Sequence, residues 1–372
     1  MKTVQELYNE RYDRIKKAMN MEKPDRIPIV LLGPGLIKYG DPNAVMADFV
    51  RRPLWAIDTV AKAYQELPDI DGGSVQNGGA FFGAFWLCKV KQPGIDLPDD
   101  AIWQLEEVGY MTEEDYDTIV DKGWAYVTND ILYNRIGYTP EQLAPNMEEM
   151  TYAANKAKEI GLVNTQGGGM VIPPYETLTA ARSISKFMRD LHRMPDKVLA
   201  AMDVMEKEAE DSLRQAMKAV PGLTHFHGNS RAGGDFISKK MFEKFDWPYF
   251  KRLADIIIEE GEGAKVFFHV DANWDERLTY FLDFPKATTI FDPDSLTNIF
   301  KIKEILGDNM CITGDVPPAM ISLGTPDEVY KYVRRLCEEI GPTGFIMSTG
   351  CSIPPNPRPE NLKVIVDATI GR

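Results

Sequence analysis

The sequence predicts an α/β fold: one (β/α)8 barrel of the TIM type spanning 1–372, with an N-terminal helix (1–25) and an irregular insertion (87–125). Three observations predict it. Five strand–helix units follow one another from Leu223 to the C-terminus, and parallel strands need such crossover helices. Earlier apolar runs at Ile27, Val75 and Met170 bring the strands to eight. No GxGxxG follows a strand, which leaves a doubly wound sheet as the weaker alternative; Gly167-Gly168-Gly169 precedes a strand instead.

The elements follow in order. Val4 to Met19 places Leu7, Tyr8, Tyr12, Ile15 and Met19 at helical spacing, and Pro24-Asp25-Arg26 ends it. Ile27 to Leu32 is a buried strand that runs into Gly33-Pro34-Gly35. Ala44 to Leu67 is helical with a break at Pro53, and Val75 marks a short strand. A Gly-rich aromatic segment, 77–86, leads into the insertion. Thr139-Pro140-Glu141-Gln142 starts a helix that runs to Glu159. Met170 to Ile172 is a strand, and Thr177 to Ala219 is a helical region broken at Pro195. The five units are then Leu223–His227 with Ser238–Glu260, Lys265–Val270 with Asp275–Asp283, Thr288–Phe291 with Ser295–Leu306, Met310–Thr313 with Asp327–Ile340, and Gly344–Ser348 with Pro359–Ile370.

Composition bounds the function. A net charge of −14 removes the global positive field that nucleic acid needs. No apolar run of about 18 residues suggests a membrane span, and the polar start Met1-Lys2-Thr3 lacks the apolar core of a signal peptide. Four scattered cysteines read as reduced thiols, so a cytoplasmic location is expected. The chain is compatible with a homodimer.

Barrels carry their chemistry at the carboxyl ends of the strands. Those ends hold His225 and His227, His269 and Asp271, Asp292, Asp315, and Cys351. His269 and Asp271 are two apart, so an extended strand turns them to one side. His, Asp and Cys are ligand types that zinc accepts together. The metal set expected is therefore His269, Asp271 and Cys351, with His225, His227 and Asp315 as catalytic residues. Simpler readings stand beside these: Asp271 as a cap, Cys351 as a packed thiol, Asp315 as a turn former. Phe81, Phe82, Phe85 and Trp86 form a substrate-binding wall or a plug under a loop. His192 and Cys311 read as structural.

The C-terminal third resembles the uroporphyrinogen decarboxylase superfamily. The residues that carry the resemblance are Leu306-Gly307-Asp308, Ile312-Thr313-Gly314-Asp315-Val316-Pro317, Leu323-Gly324-Thr325-Pro326-Asp327, and Gly344 to Pro355 with its Gly350-Cys351, together with Pro24-Asp25-Arg26-Ile27-Pro28 near the start. The resemblance implies the same barrel. It also implies one of two activities: decarboxylation, or zinc-dependent methyl transfer linked to a corrinoid. The decarboxylases carry an arginine-rich segment after the first strand; Leu31 to Ile37 has none, so the carboxylates of a porphyrinogen have no grip there. The methyltransferases bind zinc through His-x-Cys and a Gly-Cys. His269 and Cys351 match, and Asp271 stands where the second ligand is Cys. A carboxylate in place of a thiolate makes a harder Lewis acid and suits an oxygen substrate. The resemblance thus implies O-demethylation of a small methoxylated compound, such as an aryl methyl ether, with zinc as cofactor and with cobalamin carried by a partner corrinoid protein. The alternatives are a metal-dependent decarboxylase or lyase on a small acid, and a non-catalytic corrinoid- or ligand-binding relative.

Overall fold

The computed structural model describes residues 2–75 and 82–372. Its centre is a ring of parallel strands. Six pair in sequence order: β5 (Gln166–Val171), β6 (Thr224–Asn229), β7 (Lys265–Val270), β8 (Thr289–Pro293), β9 (Cys311–Val316) and β10 (Phe345–Thr349). Two short ones, β1 (Val30–Leu31) and β2 (Gly72–Gly73), pair with each other. Parallel bridges join Ile29 to Met347 and Gly72 to Val163, so β1 meets β10 and β2 meets the segment just before β5. Met347 N–H to Pro28 O at 2.9 Å and Gly73 N–H to Val163 O at 3.0 Å carry the closure. Among the described residues, eight strands therefore form the expected barrel.

Period-two alternation sorts the side chains. Val266, Phe268 and Val270 of β7 are fully buried against the outer helices. Phe268 stacks on Phe250 of the helix Trp247–Glu260 with centroids 5.0 Å apart. The opposite face of the strands builds a smaller interior core of Val30, Val163, Ile290, Cys311 and Ile346. Ile15, Ala18 and Met19 of the first helix, Val4–Met19, close that core from the N-terminal end of the strands. A capping box of Thr3 and Glu6 begins this helix. Its inner face is bolted down by ions: Asp71, fully buried, accepts from Arg14 at 2.6 Å, from Arg26 at 2.8 Å and from Ile29 N–H at 2.9 Å. Arg11 donates to the carbonyls of Pro68, Ile160 and Gly161.

The differences from expectation have local causes. The second strand is Gly72–Gly73 rather than Val75, because only a bare backbone fits there: a Cβ at Gly73 would strike the Tyr64 hydroxyl and Leu31 O. Residues 275–283 give a 3-10 segment, Leu278–Asp283, in place of an α-helix. The insertion contains structure: β3 (Lys89–Lys91) and β4 (Gln104–Glu106) pair antiparallel, and the helix Asp115–Lys122 follows. The region after Thr177 is three helices, Pro174–Ala181, Ile184–Arg193 and Pro195–Ala219.

Candidate metal centre

Strand parity decides which polar ends meet. Phe226 and His269 lie on the inner face, with ring centroids 5.9 Å apart. On β7 the next residue of that parity is Asp271. His269 and Asp292 are direct partners in the β7–β8 register. Asp292 Oδ2 lies 2.6 Å from His269 Nδ1. With the carboxylate accepting, the hydrogen sits on Nδ1 and the lone pair on Nε2. Nε2 then lies 3.4 Å from Asp271 Oδ1.

The thiol arrives from the end of β10. A Cβ at Gly350 would collide with Ser295 Oγ, so only glycine lets the chain approach and carry Cys351 inward. One donor atom each of His269, Asp271 and Cys351 lies within 4.8 Å of the others. Ligands around one tetrahedral zinc sit roughly 3.3–3.8 Å apart for bonds of about 2.0–2.3 Å. The donor types are those zinc accepts, and their spread of up to 4.8 Å is wider than this spacing. Asp271 Oδ1 adds an independent observation: it is buried and has no hydrogen-bond partner among the described residues. Burial disfavours charge on the His269 ring, yet Asp292, the Cys351 thiol and Asp271 raise its pKa well above the ordinary value. These groups favour a positive charge here, carried by the second proton of the ring itself unless a metal ion takes its place on Nε2.

The loops behind the ligands interlock. Asp294 Oδ2 accepts from Ala272 N–H at 3.0 Å, and its Oδ1 from Leu296 N–H at 2.9 Å. Trp274 Nε1 donates to Asp271 O at 2.6 Å. Ala272 and Ser295, each just after an aspartate at a strand end, adopt left-handed φ of 70° and 77°. Such non-glycine conformations cost on the order of 1 kcal/mol or more each and persist where neighbours force them.

Of the expected catalytic residues, the two histidines point away from the donor set, whereas Asp315 lies near enough to Asp292 and Asp294 to feel their charge. His225 and His227 share the parity opposite to Phe226 and face the helices. His225 Nδ1 accepts from Gly169 N–H at 3.1 Å, and burial lowers its pKa. His227 Nε2 lies 2.9 Å from Phe250 O, its ring 4.1 Å from the Phe250 ring, and burial pushes its pKa down to about 4. Both are neutral packing residues of the outer layer, not groups that reach His269. Asp315 accepts from Tyr332 Oη at 2.7 Å, on the outer helix Pro326–Glu339. Burial lifts its pKa to about 7.

Of the aromatic wall, Phe81 lies outside the described residues, as does the Phe82 side chain. Phe85 and Trp86 pack edge to face at 5.3 Å. The Trp86 ring lies 5.7 Å from the Arg231 guanidinium, and Arg231 pairs with Glu107 of the insertion. This draws the insertion onto the end of β6.

Several site residues were not singled out by spacing alone. Asp292 stood out only as a strand end; its role as the partner of His269 needs the register. Ser230, whose hydroxyl donates to Asp271 Oδ2 at 3.0 Å, and the inward pair Met170 and Phe226 follow from strand parity. Met170 is 41% exposed although it lies on a barrel strand, so it lines the open mouth.

Residues 139–371 match the family described as Uroporphyrinogen decarboxylase (URO-D). The chain belongs to this family, whose members are enzymes. It is 35% identical to the uroporphyrinogen decarboxylase of Syntrophotalea carbinolica over 189 residues, 50% of this chain and 52% of that one. It is 27% identical to that of Pseudoalteromonas translucida over 220 residues, 56% of this chain and 58% of the relative. The chain thus spans about half the length of the curated relatives it matches. A solved structure described as "methyltransferase from Methanosarcina mazei" superposes with a TM-score of 0.71 at 18% identity, covering 97% of this chain and 98% of the other. At that identity the likeness establishes the shared barrel. Among the described residues no helix is long and apolar enough to cross a membrane.

Proposed function

We propose that the chain is a methyltransferase that moves a methyl group from a small methoxylated compound, an aryl methyl ether being the leading case, to the cob(I)alamin of a partner corrinoid protein. The observation that carries the reading is the convergence of His269, Asp271 and Cys351 donors at the barrel mouth, with Asp271 Oδ1 buried and without a hydrogen bond among the described residues. These three residues would hold zinc, which when bound supplies Lewis-acid stabilisation to the oxygen that leaves as the methyl group departs. Asp292 fixes the His269 ring so that Nε2 faces the other two donors. Phe226 lies beside His269 and Met170 beside Phe226, and both would offer apolar surface to a methoxyarene, while Trp86 would offer a ring face. In the reaction the O–CH3 bond breaks with its electron pair on oxygen, and the cobalt nucleophile takes the methyl cation. A nearby anionic residue, Asp271, in the donor set favours an oxygen leaving group over a thiol. The full-length fold likeness to a methyltransferase is consistent with this reading.

The test is methyl transfer to free cob(I)alamin, followed by the absorbance of methylcobalamin, across a panel of methoxyarenes with the zinc-loaded protein. Methylcobalamin formation with at least one donor is expected; no turnover with any of them sinks the proposal. The curated relatives, which are uroporphyrinogen decarboxylases, favour a second reading, a decarboxylase. Carbon dioxide release from a small acid without methylcobalamin would establish it. The absence of arginine in Leu31–Ile37 argues against a porphyrinogen as that acid.

A further inference from the structure

A carboxylate ligand has a freedom that imidazole and thiolate lack: it can present one oxygen or two. At Asp271 the two oxygens have different surroundings. Oδ1 faces His269 Nε2 at 3.4 Å and is the buried atom without a hydrogen bond among the described residues. Oδ2 accepts from Ser230 Oγ at 3.0 Å. Ser230 is itself held from both sides. Before it, Asn229 ends β6, accepts from Asp271 N–H at 3.2 Å, and donates through Nδ2 to both oxygens of the fully buried Asp246 at 2.9 and 3.0 Å. After it, Arg231 N–H donates at 2.9 Å to Oε2 of Glu176, which is fully buried. A hydroxyl between two pinned residues has little room to wander.

We infer that Ser230 is a positioning residue for the metal centre: it occupies Asp271 Oδ2, so that Asp271 engages an ion through Oδ1 alone. This rests on the metal reading of the previous section and deepens it. One oxygen with one nitrogen and one sulfur makes a three-ligand set that leaves a tetrahedral fourth position for substrate, as zinc chemistry requires. Were Oδ2 released, the carboxylate could chelate. Coordination number would rise and oxygen-preferring ions of larger radius would compete better. Partners that orient metal ligands typically contribute 10–100-fold in affinity.

The experiment uses the full chain with Co2+ as a spectroscopic stand-in for zinc. Metal affinity is read by competition with a chromophoric chelator, and geometry by the visible d–d bands, which are several-fold stronger for four-coordinate than for six-coordinate cobalt. Ser230→Ala is expected to weaken binding about 10–100-fold and to reduce the band intensity. Ser230→Thr, which keeps the hydroxyl, is expected to restore both. Unchanged affinity and bands in Ser230→Ala overturn the inference while leaving the metal reading intact. Weakened binding with unaltered bands and no rescue by Thr also overturns it, since that is the signature of general loosening. If the unaltered protein binds neither Co2+ nor Zn2+ stoichiometrically, the metal reading itself falls.

Discussion

His269 Nδ1 and Asp292 Oδ2 lie 2.6 Å apart at matched positions of β7 and β8. The pair fixes one ring nitrogen and thereby aims the other. Its ion-orienting role predicts that Asp292→Asn keeps the fold but weakens zinc binding about 10–100-fold, because a neutral amide both weakens the hydrogen bond and lowers the basicity of Nε2. Competition against a zinc chelator measures this. Unchanged affinity would mean that the ring is oriented by packing alone.

His227 should behave in the opposite way. It sits between Phe250 and Phe268, and its Nε2 meets Phe250 O. His227→Leu removes a second hydrogen bond to Phe250 O, which keeps its place in the helix Trp247–Glu260, at a cost of about 0.5–1.5 kcal/mol. Denaturant melts should record that loss, while zinc stoichiometry and the methyl-transfer rate of the folded protein stay at the unaltered level. A rate loss of tenfold or more without a loss of stability would return His227 to the chemistry.

These two histidines mark how far the sequence could be read. The barrel was legible because its strands are buried runs of β-branched and aromatic residues separated by amphipathic helices. The exceptions were β1 and β2, two residues each, and Gly72-Gly73 carries no side-chain pattern at all. His269, Asp271 and Cys351 were legible as strand ends of ligand type, and their donor atoms do lie together. Position at a strand end says nothing of inward or outward, however, and a shift of one residue reverses the face. Counting parity from Phe226 and His269 turns His225 and His227 outward and brings Gly228 and Ser230 inward. Ser230, Arg231 and Glu176 needed tertiary structure, since their partners lie 41 to 55 residues away in sequence.

Glu176 makes stability depend on pH. Burial pushes its pKa from 4.5 up to about 7, against the opposing effects of Arg231 and nearby backbone N–H groups. The folded state therefore holds a proton between pH 4.5 and about 7 that the unfolded state has released. Its contribution is fully present below the unfolded pKa and declines as pH rises through that window, by roughly 3 kcal/mol in all. Glu176→Gln removes the titration and keeps a carbonyl for Arg231 N–H. Relative to the unaltered protein, the variant should gain stability steadily from pH 5 to 7.5 in urea melts. Parallel pH profiles for the two proteins would show that Glu176 ionises normally.

At the far end of the barrel, stability and site should separate. Asp71 has no exposed surface and balances Arg14, whose side chain is 4% exposed, and Arg26, at 24%. Asp25, 62% exposed, shares Arg14 but reaches solvent. Removing the buried partner leaves Arg14 only Asp25 and Glu10, takes the carboxylate from Arg26 and frees Ile29 N–H, which Asp71 also accepts. Loss of one member of a buried ion pair costs about 3–5 kcal/mol. Asp71→Ala should therefore lower the urea midpoint by that equivalent and loosen the first helix first, since Arg14 belongs to it. Hydrogen exchange of residues 4–19 resolves that order. Because the cluster lies at the N-terminal end of the strands and the donors at the carboxyl end, zinc affinity of the folded fraction should remain unchanged. A matching loss of zinc affinity would mean that the two ends of the barrel are energetically coupled.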